Sequence, residues 1–241
     1  MAEWFASWFD SPYYHVLYDN RDHTEAQSFL QNFAANQGWP EKHQILDLAC
    51  GAGRHSTTLA QLWYDVVGLD LSPTSIKEAN NLNQPGAQFE IADMRFFSLG
   101  RKFDVVLNLF TSFGYFDHSN DNARVLTRVH SHLRPNGKLV IDFLNPERVK
   151  ARLVEAEVIQ KQGITFNIRR EVNDTHVIKH IGFKIDRQEH SYREQVQLFS
   201  PTDFNKMLTE AGFSVENVLG SYQLDDFSAF SERQIIIARR E

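Results

Sequence analysis

Residues 45–53 read ILDLACGAG, two glycines one residue apart with an acid, Asp47, just before the turn. Glycine is used where a ligand or another stretch of backbone must come close. Asp70 follows 19 residues after Gly51, at the end of a second apolar run, VVGLD. A carboxylate there can accept hydrogen bonds from both hydroxyls of a ribose, so Gly51, Gly53 and Asp70 together point to a ligand that contains a nucleoside. The turn continues as GAGRHS, which puts Arg54 and His55 straight after the second glycine and Ser56 where a dinucleotide site wants a third small residue. Asp47 also suits a ligand bearing an ammonium group better than one bearing phosphates. None of the seven tyrosines has a lysine four residues later, so the short-chain dehydrogenase pair is missing.

The elements that must position these residues alternate. Apolar residues recur at helical spacing over 25–36, and Gly38 and Pro40 end that run. Strand-like segments follow at 45–49, 66–70, 88–93, 103–110 and 138–144. Helices are predicted between them over 54–62, from Ser72-Pro73 onward, and over 120–133. Short apolar strands alternating with helices imply a parallel sheet covered on both faces, whose ligands bind at the carboxyl ends of the strands. After Pro146 the pattern changes to longer alternating runs at 164–172, 175–186 and 190–199, with Asn173-Asp174 as a hairpin turn. Ser200-Pro201 opens a further helix that Gly212 closes, and 213–219 and 234–239 finish the sheet. The fold class is therefore α/β, a Rossmann-like, seven-stranded, mostly parallel sheet with an antiparallel β insertion. Its division is 1–146 with 200–241 as the ligand-binding domain and 147–199 as the insertion.

Composition narrows the partners. With 31 acidic against 25 basic residues and no basic run longer than two, the chain lacks a phosphate-neutralising surface, so nucleic acid is not expected. The only cysteine is Cys50, which excludes an internal disulfide and a cysteine-built metal site. No apolar stretch approaches the ~20 residues needed to span a bilayer, and the aromatic N-terminus lacks the basic start of a signal peptide. A cytoplasmic protein, monomer or homodimer, with no membrane partner is the expectation.

Taken together, the motifs resemble those of the class I S-adenosylmethionine-dependent methyltransferases over nearly the whole chain. LDLACGAGRHS is similar to their first motif, GLDLSPTSI to the second, IADM to the third, FDVVLNLFTSFGYF to the fourth and LRPNGKLVIDF to the segment leading into the fifth strand. The resemblance implies S-adenosyl-L-methionine as cofactor. Asp47, Ala49, Gly51 and Gly53 would hold its methionine part, Asp70 its ribose and Leu71 and Met94 its adenine ring. Asp93 would take the adenine amino group, and Asn108 and Leu109 would pass near the sulfonium. Each acid also has a purely structural reading: Asp47 capping the turn, Asp70 capping the helix at Ser72, Asp93 in an Asx turn. The fourth motif, NLFTSF, is not the Asp-Pro-Pro-Tyr type of nucleobase amino-methyltransferases, and no proline-cysteine nucleophile is present. The chain is most similar to the small-molecule branch, so N- or O-methylation of a small acceptor by in-line transfer is expected.

The segment 4–18, WFASWFDSPYYHVLY, carries seven aromatic residues and is expected to fold over the cofactor. Tyr14, Tyr18 and Arg21, with His23 as an alternate, are the candidates there for the cofactor carboxylate. A general base is needed only if the acceptor must lose a proton before attack, and His118, Tyr115 and Asp117 are candidates. His176, His180 and His190 lack metal-ligand spacing, and no metal is expected. The insertion is expected to close the acceptor pocket and set substrate choice while leaving cofactor binding independent of it. Two alternatives stay open on sequence: a cofactor-binding protein without catalysis, and a methyltransferase of protein side chains.

Overall fold

The computed structural model describes residues 3–19 and 23–241, with the backbone alone at 23–26 and 119. Arg21 lies outside the described residues, as does the side chain of His23. The aromatic N-terminus forms two short helices, α1 (Trp4–Phe9) and α2 (Pro12–Leu17). They are separate because Ser11 accepts a hydrogen bond from the Tyr13 amide and Pro12 opens the new helix. Then come α3 (His23–Asn36), β1 (Gln44–Leu48), α4 (Arg54–Gln61), β2 (Asp65–Asp70), α5 (Pro73–Asn81) and β3 (Ala87–Ile91). β4 (Phe103–Asn108), α6 (Ser119–His132) and β5 (Leu133–Leu144) complete the parallel part. The insertion holds α7 (Pro146–Ala151), β6 (Ala156–Lys161), β7 (Ile164–Val172), β8 (His176–Ile185) and β9 (Gln188–Gln197). α8 (Pro201–Glu210), β10 (Phe213–Leu219) and β11 (Arg233–Arg240) return to the main sheet.

The seven-stranded sheet runs β10-β11-β5-β4-β1-β2-β3, parallel throughout except for β11, which is antiparallel to both β5 and β10. The chain winds from β1 through β2 to β3 in one direction and through β4 to β5 in the other, so the switch point lies at the carboxyl ends of β1 and β4. Alternate strand residues supply two cores. Leu46, Val67, Val106 and Ile141 pack with α6 and α8, whereas Ile45, Val66, Val105 and Val140 pack with α3 and α4.

Three strands are expected in the insertion and four are present: β6 precedes them and pairs with β7. β6 escapes periodicity because it is an edge strand with no fully buried residue, and its Val158 is 64% exposed. One face of this second sheet carries Phe166, Ile168, Ile181 and Phe183, and these bury Trp8 of α1 and Leu17 of α2. The N-terminal helices and the insertion therefore share a core. Among the described residues no helix is long and apolar enough to cross a membrane.

Candidate active site

The loop from β1 to α4 takes its path from three left-handed residues, Ala49, Gly51 and Gly53, at φ of 63°, 56° and 80°. Gly53 must be glycine for a second reason, since a Cβ there would sit 2.7 Å from the Phe89 ring. A Cβ on Gly51 meets nothing within 4 Å, so a side chain would enter the space above the loop. That space is a cavity of about 380 Å³ at the strand ends. The β1 loop gives it Ala49 and Gly51, β2 gives Asp70 and Leu71, β3 gives Asp93 and Met94, and β4 gives Leu109 and Phe110. α1 and α2 roof it with Phe5, Phe9, Tyr14 and His15, and Tyr18 follows at the end of α2.

Asp70 joins two loops. Its Oδ2 accepts from the Gly51 amide at 2.8 Å and its Oδ1 from the Ser72 amide at 2.8 Å. Burial raises its carboxyl above the ordinary range, against the pull of those amides. Asp70 thus plays the structural role of tying Ser72 to the turn, and it still lines the cavity with acceptor capacity left for hydroxyls. Asp47 lies beneath the loop, not on the cavity wall. Its Oδ2 accepts from the Ser56 hydroxyl at 2.6 Å, and burial pushes its carboxyl up to about 6, a rise the Ser56 hydroxyl opposes and the Asp70 charge adds to.

Asp93 adopts the Asx turn, with Oδ1 accepting from the Arg95 amide at 2.8 Å. Its Oδ2 is held by the Arg95 guanidinium at 2.6 Å, and the same guanidinium reaches Glu3 just before α1 at 2.5 Å and Asp121 at 3.2 Å. A second pin holds the far end of α1, where Asp10 accepts from the Ser72 hydroxyl at 2.6 Å and the Thr74 amide at 3.0 Å at the start of α5. Burial opposes the Asp10 charge, but these hydrogen bonds outweigh it and lower its pKa. Sequence reading missed both pins, because Glu3 and Arg95 lie 92 positions apart.

Asn108 is buried away from the cavity, its amide donating to the carbonyls of Leu48 at 3.1 Å and Ser112 at 3.2 Å. Beyond it Phe110 and Thr111 are consecutive left-handed residues, at φ of 57° and 63°. The fully buried Asp142 of β5 holds them: its carboxylate accepts from the Phe110 amide at 2.8 Å, the Tyr222 hydroxyl at 2.9 Å and Arg233 Nε at 2.7 Å. Asp142 lies within LRPNGKLVIDF but nothing in that motif singled it out, and Arg233 lies in no motif.

Among the candidate bases only Tyr115 reaches the site, with its hydroxyl donating to the Thr111 carbonyl. His118 is exposed at the start of α6, and Asp117 accepts from Gln195 Nε2 at 2.9 Å outside the cavity. Tyr18 lines the cavity, but its hydroxyl donates to Glu194 of β9 at 2.7 Å. A smaller cavity of about 160 Å³ shares Phe9, Tyr14, Tyr18, Phe110 and Tyr115 with the larger one and extends to Glu194 and Val196 of the insertion. Glu194 was not foreseen; a lone acid in the alternating run YREQVQ carries no distinguishing signal. Among the described residues no cluster of histidine, cysteine and acids could hold a metal ion.

The site fits S-adenosylmethionine on its own geometry. The open backbone above Gly51, the half-buried Asp70 carboxylate and the apolar Leu71 and Met94 all line this one cavity, and surfaces of these kinds would suit the methionine, ribose and adenine parts of that cofactor.

The chain is similar to known proteins over most of its length. A family model described as a methyltransferase domain matches residues 45–137. The chain is 30% identical over 191 residues to a dTDP-3-amino-3,4,6-trideoxy-alpha-D-glucopyranose N,N-dimethyltransferase of Streptomyces venezuelae, covering 75% of this chain and 79% of the relative. It is 31% identical over 189 residues to a dTDP-3-amino-3,6-dideoxy-alpha-D-glucopyranose N,N-dimethyltransferase of Streptomyces fradiae, covering 75% and 74%. In fold it is similar to the crystal structure of an S-adenosylmethionine-dependent methyltransferase from Clostridium acetobutylicum, with a TM-score of 0.79 at 19% identity over 95% of this chain and 96% of the other.

Proposed function

Because the chain belongs to the class I S-adenosylmethionine-dependent methyltransferases, we propose that it methylates an amino group on a small, sugar-like acceptor. The observation that carries this reading is the smaller cavity, walled by five side chains of the cofactor cavity and ending on the insertion. A space of about 160 Å³ has room for one small ring. Two relatives named as amino-sugar N,N-dimethyltransferases make an amine the first acceptor to try.

When bound, S-adenosylmethionine supplies an electrophilic methyl group on a positively charged sulfur. The chain's part is to orient and to keep water out. Asp70 would hold the ribose, Leu71 and Met94 the adenine, and Ala49 and Gly51 the methionine end, with Asp47 acting through the loop it supports. Asp93 would meet the adenine edge with a carboxylate already oriented by Arg95. Leu109 would stand near the transferring group, and Asn108 would act by fixing the backbone on either side. Tyr14 stays a candidate for the cofactor's amino acid end. Tyr18 is better placed for the acceptor, since its hydroxyl faces Glu194. Tyr115, shared by both cavities, would order the acceptor against the cofactor. Tight aromatic walls on both cavities serve exclusion of water, which a reactive sulfonium requires. A cytoplasmic enzyme with neither nucleic acid nor membrane as partner completes the proposal.

Incubating the protein with S-adenosylmethionine and the dTDP-amino sugar of the first relative tests it. Mass spectrometry should show one and then two methyl groups on the sugar nitrogen. Transfer to a protein side chain in preference to any amino or hydroxy sugar would overturn the small-acceptor reading.

A further inference from the structure

Glu194 brings a carboxylate from β9 to the wall of the smaller cavity, with a side chain only 17% exposed. Its Oε1 accepts from the Trp8 indole N–H at 2.6 Å and from the Tyr18 hydroxyl at 2.7 Å. Its Oε2 lies 3.0 Å from the same hydroxyl and 3.6 Å from Lys179 Nζ. A carboxylate offers about four acceptor sites, so Oε2 keeps capacity for one more donor. Burial lowers the Lys179 pKa, and Glu194 opposes that shift. Lys179 thus compensates the largely buried carboxylate of Glu194.

The rest of the wall is aromatic. The Trp4 and Phe9 rings lie 5.6 and 5.3 Å from the Tyr115 ring. The Trp4 indole N–H is buried and has no hydrogen-bond partner among the described residues. Together these give π faces and one carboxylate around a space that shares five side chains with the cofactor cavity.

We infer that this chamber is the amine subsite of the acceptor, with Glu194 as the residue that selects an amine over a hydroxyl. The inference rests on the larger cavity being the cofactor site. When an amine is methylated, its lone pair forms the new N–C bond and the pair of the broken S–C bond stays on the donor sulfur. The positive charge moves to the nitrogen, and the surplus proton leaves to water. A carboxylate and aromatic faces beside that nitrogen stabilise it more as charge develops than before, which is the condition for accelerating the step. A hydroxyl acceptor must instead give up its proton to a base as it attacks, so less positive charge builds beside the carboxylate than on an amine nitrogen.

The test uses full-length protein saturated with S-adenosylhomocysteine, in which ¹⁵N spectra report the indole N–H groups of Trp4 and Trp8. Trimethylammonium is titrated as the charged probe and tert-butanol as its neutral counterpart of similar shape. Trimethylammonium should give saturable shifts at these two indoles, and tert-butanol should need about tenfold more, the ratio expected for one charge-assisted contact. In Glu194→Gln, which keeps an acceptor for Trp8 and Tyr18, that preference should vanish while S-adenosylhomocysteine binds as in the wild type. No saturable shift, equal response to both probes, or an undiminished preference in Glu194→Gln would overturn the inference. Failure of S-adenosylhomocysteine to bind the wild-type protein would instead remove the cofactor reading beneath it.

Discussion

At the residue scale, two acids beside the same loop, Asp47 fully buried and Asp70 half-buried, do different work. Asp70 reaches the cavity while holding the Gly51 and Ser72 amides, so Asp70→Ala should weaken S-adenosylhomocysteine binding by about 1–3 kcal/mol, the cost of unpaired buried partners. Calorimetry checks this, and wild-type affinity in the variant would remove Asp70 from the site. Asp47 supports the loop from below, with a carboxyl raised from 3.8 to about 6. A raised acid binds its proton more tightly folded than unfolded, so this group costs nothing below about pH 4 and the full amount above about pH 6. The difference of roughly two pH units corresponds to about 3 kcal/mol. Asp47→Asn should therefore gain stability relative to the wild type as pH rises through that window, seen as a widening difference in Tm; a constant difference would mean that Asp47 does not titrate there. Asp70, Leu71 and Met94 were legible because residue type, spacing and strand end coincide. Glu194 was not, because its meaning depends on partners 176 and 186 positions away.

At the element scale, the loop after β4 owes its shape to β5. Two consecutive left-handed residues are strained, and the fully buried Asp142 holds them while pairing with the half-buried Arg233. Asp142→Ala leaves that guanidinium without its partner and should cost about 3–5 kcal/mol in denaturant unfolding. A loss below about 1 kcal/mol would show that the pair is dispensable. Sequence punctuation located most elements: Ser72-Pro73 and Ser200-Pro201 each cap and open a helix as read. The same signal at Ser11-Pro12 splits the aromatic N-terminus into two helices, a break that aromatic content alone conceals. β6 stayed hidden because an exposed edge strand needs no apolar alternation.

At the scale of the whole molecule, alternation of strand and helix made the main sheet legible, but not what covers it. The aromatic segment and the apolar face of the insertion each demanded a partner, and nothing in either pattern said that they bury one another. Their shared core links the roof of the cofactor cavity to the insertion, so a change in one should be felt at the other. Trp8 is fully buried between α1 and the second sheet and does not line the cofactor cavity. Trp8→Ala should cost about 3–5 kcal/mol of stability and also weaken S-adenosylhomocysteine binding by loosening the roof. Unchanged affinity in a destabilised variant would separate the lid from the insertion after all. The cavity above Gly51 is where S-adenosylmethionine is expected to bind. Calorimetric titration of the full chain with S-adenosylhomocysteine and, separately, with NAD decides this: saturable one-to-one binding of the first and no measurable heat from the second are expected, whereas tight NAD binding with no response to S-adenosylhomocysteine would contradict it.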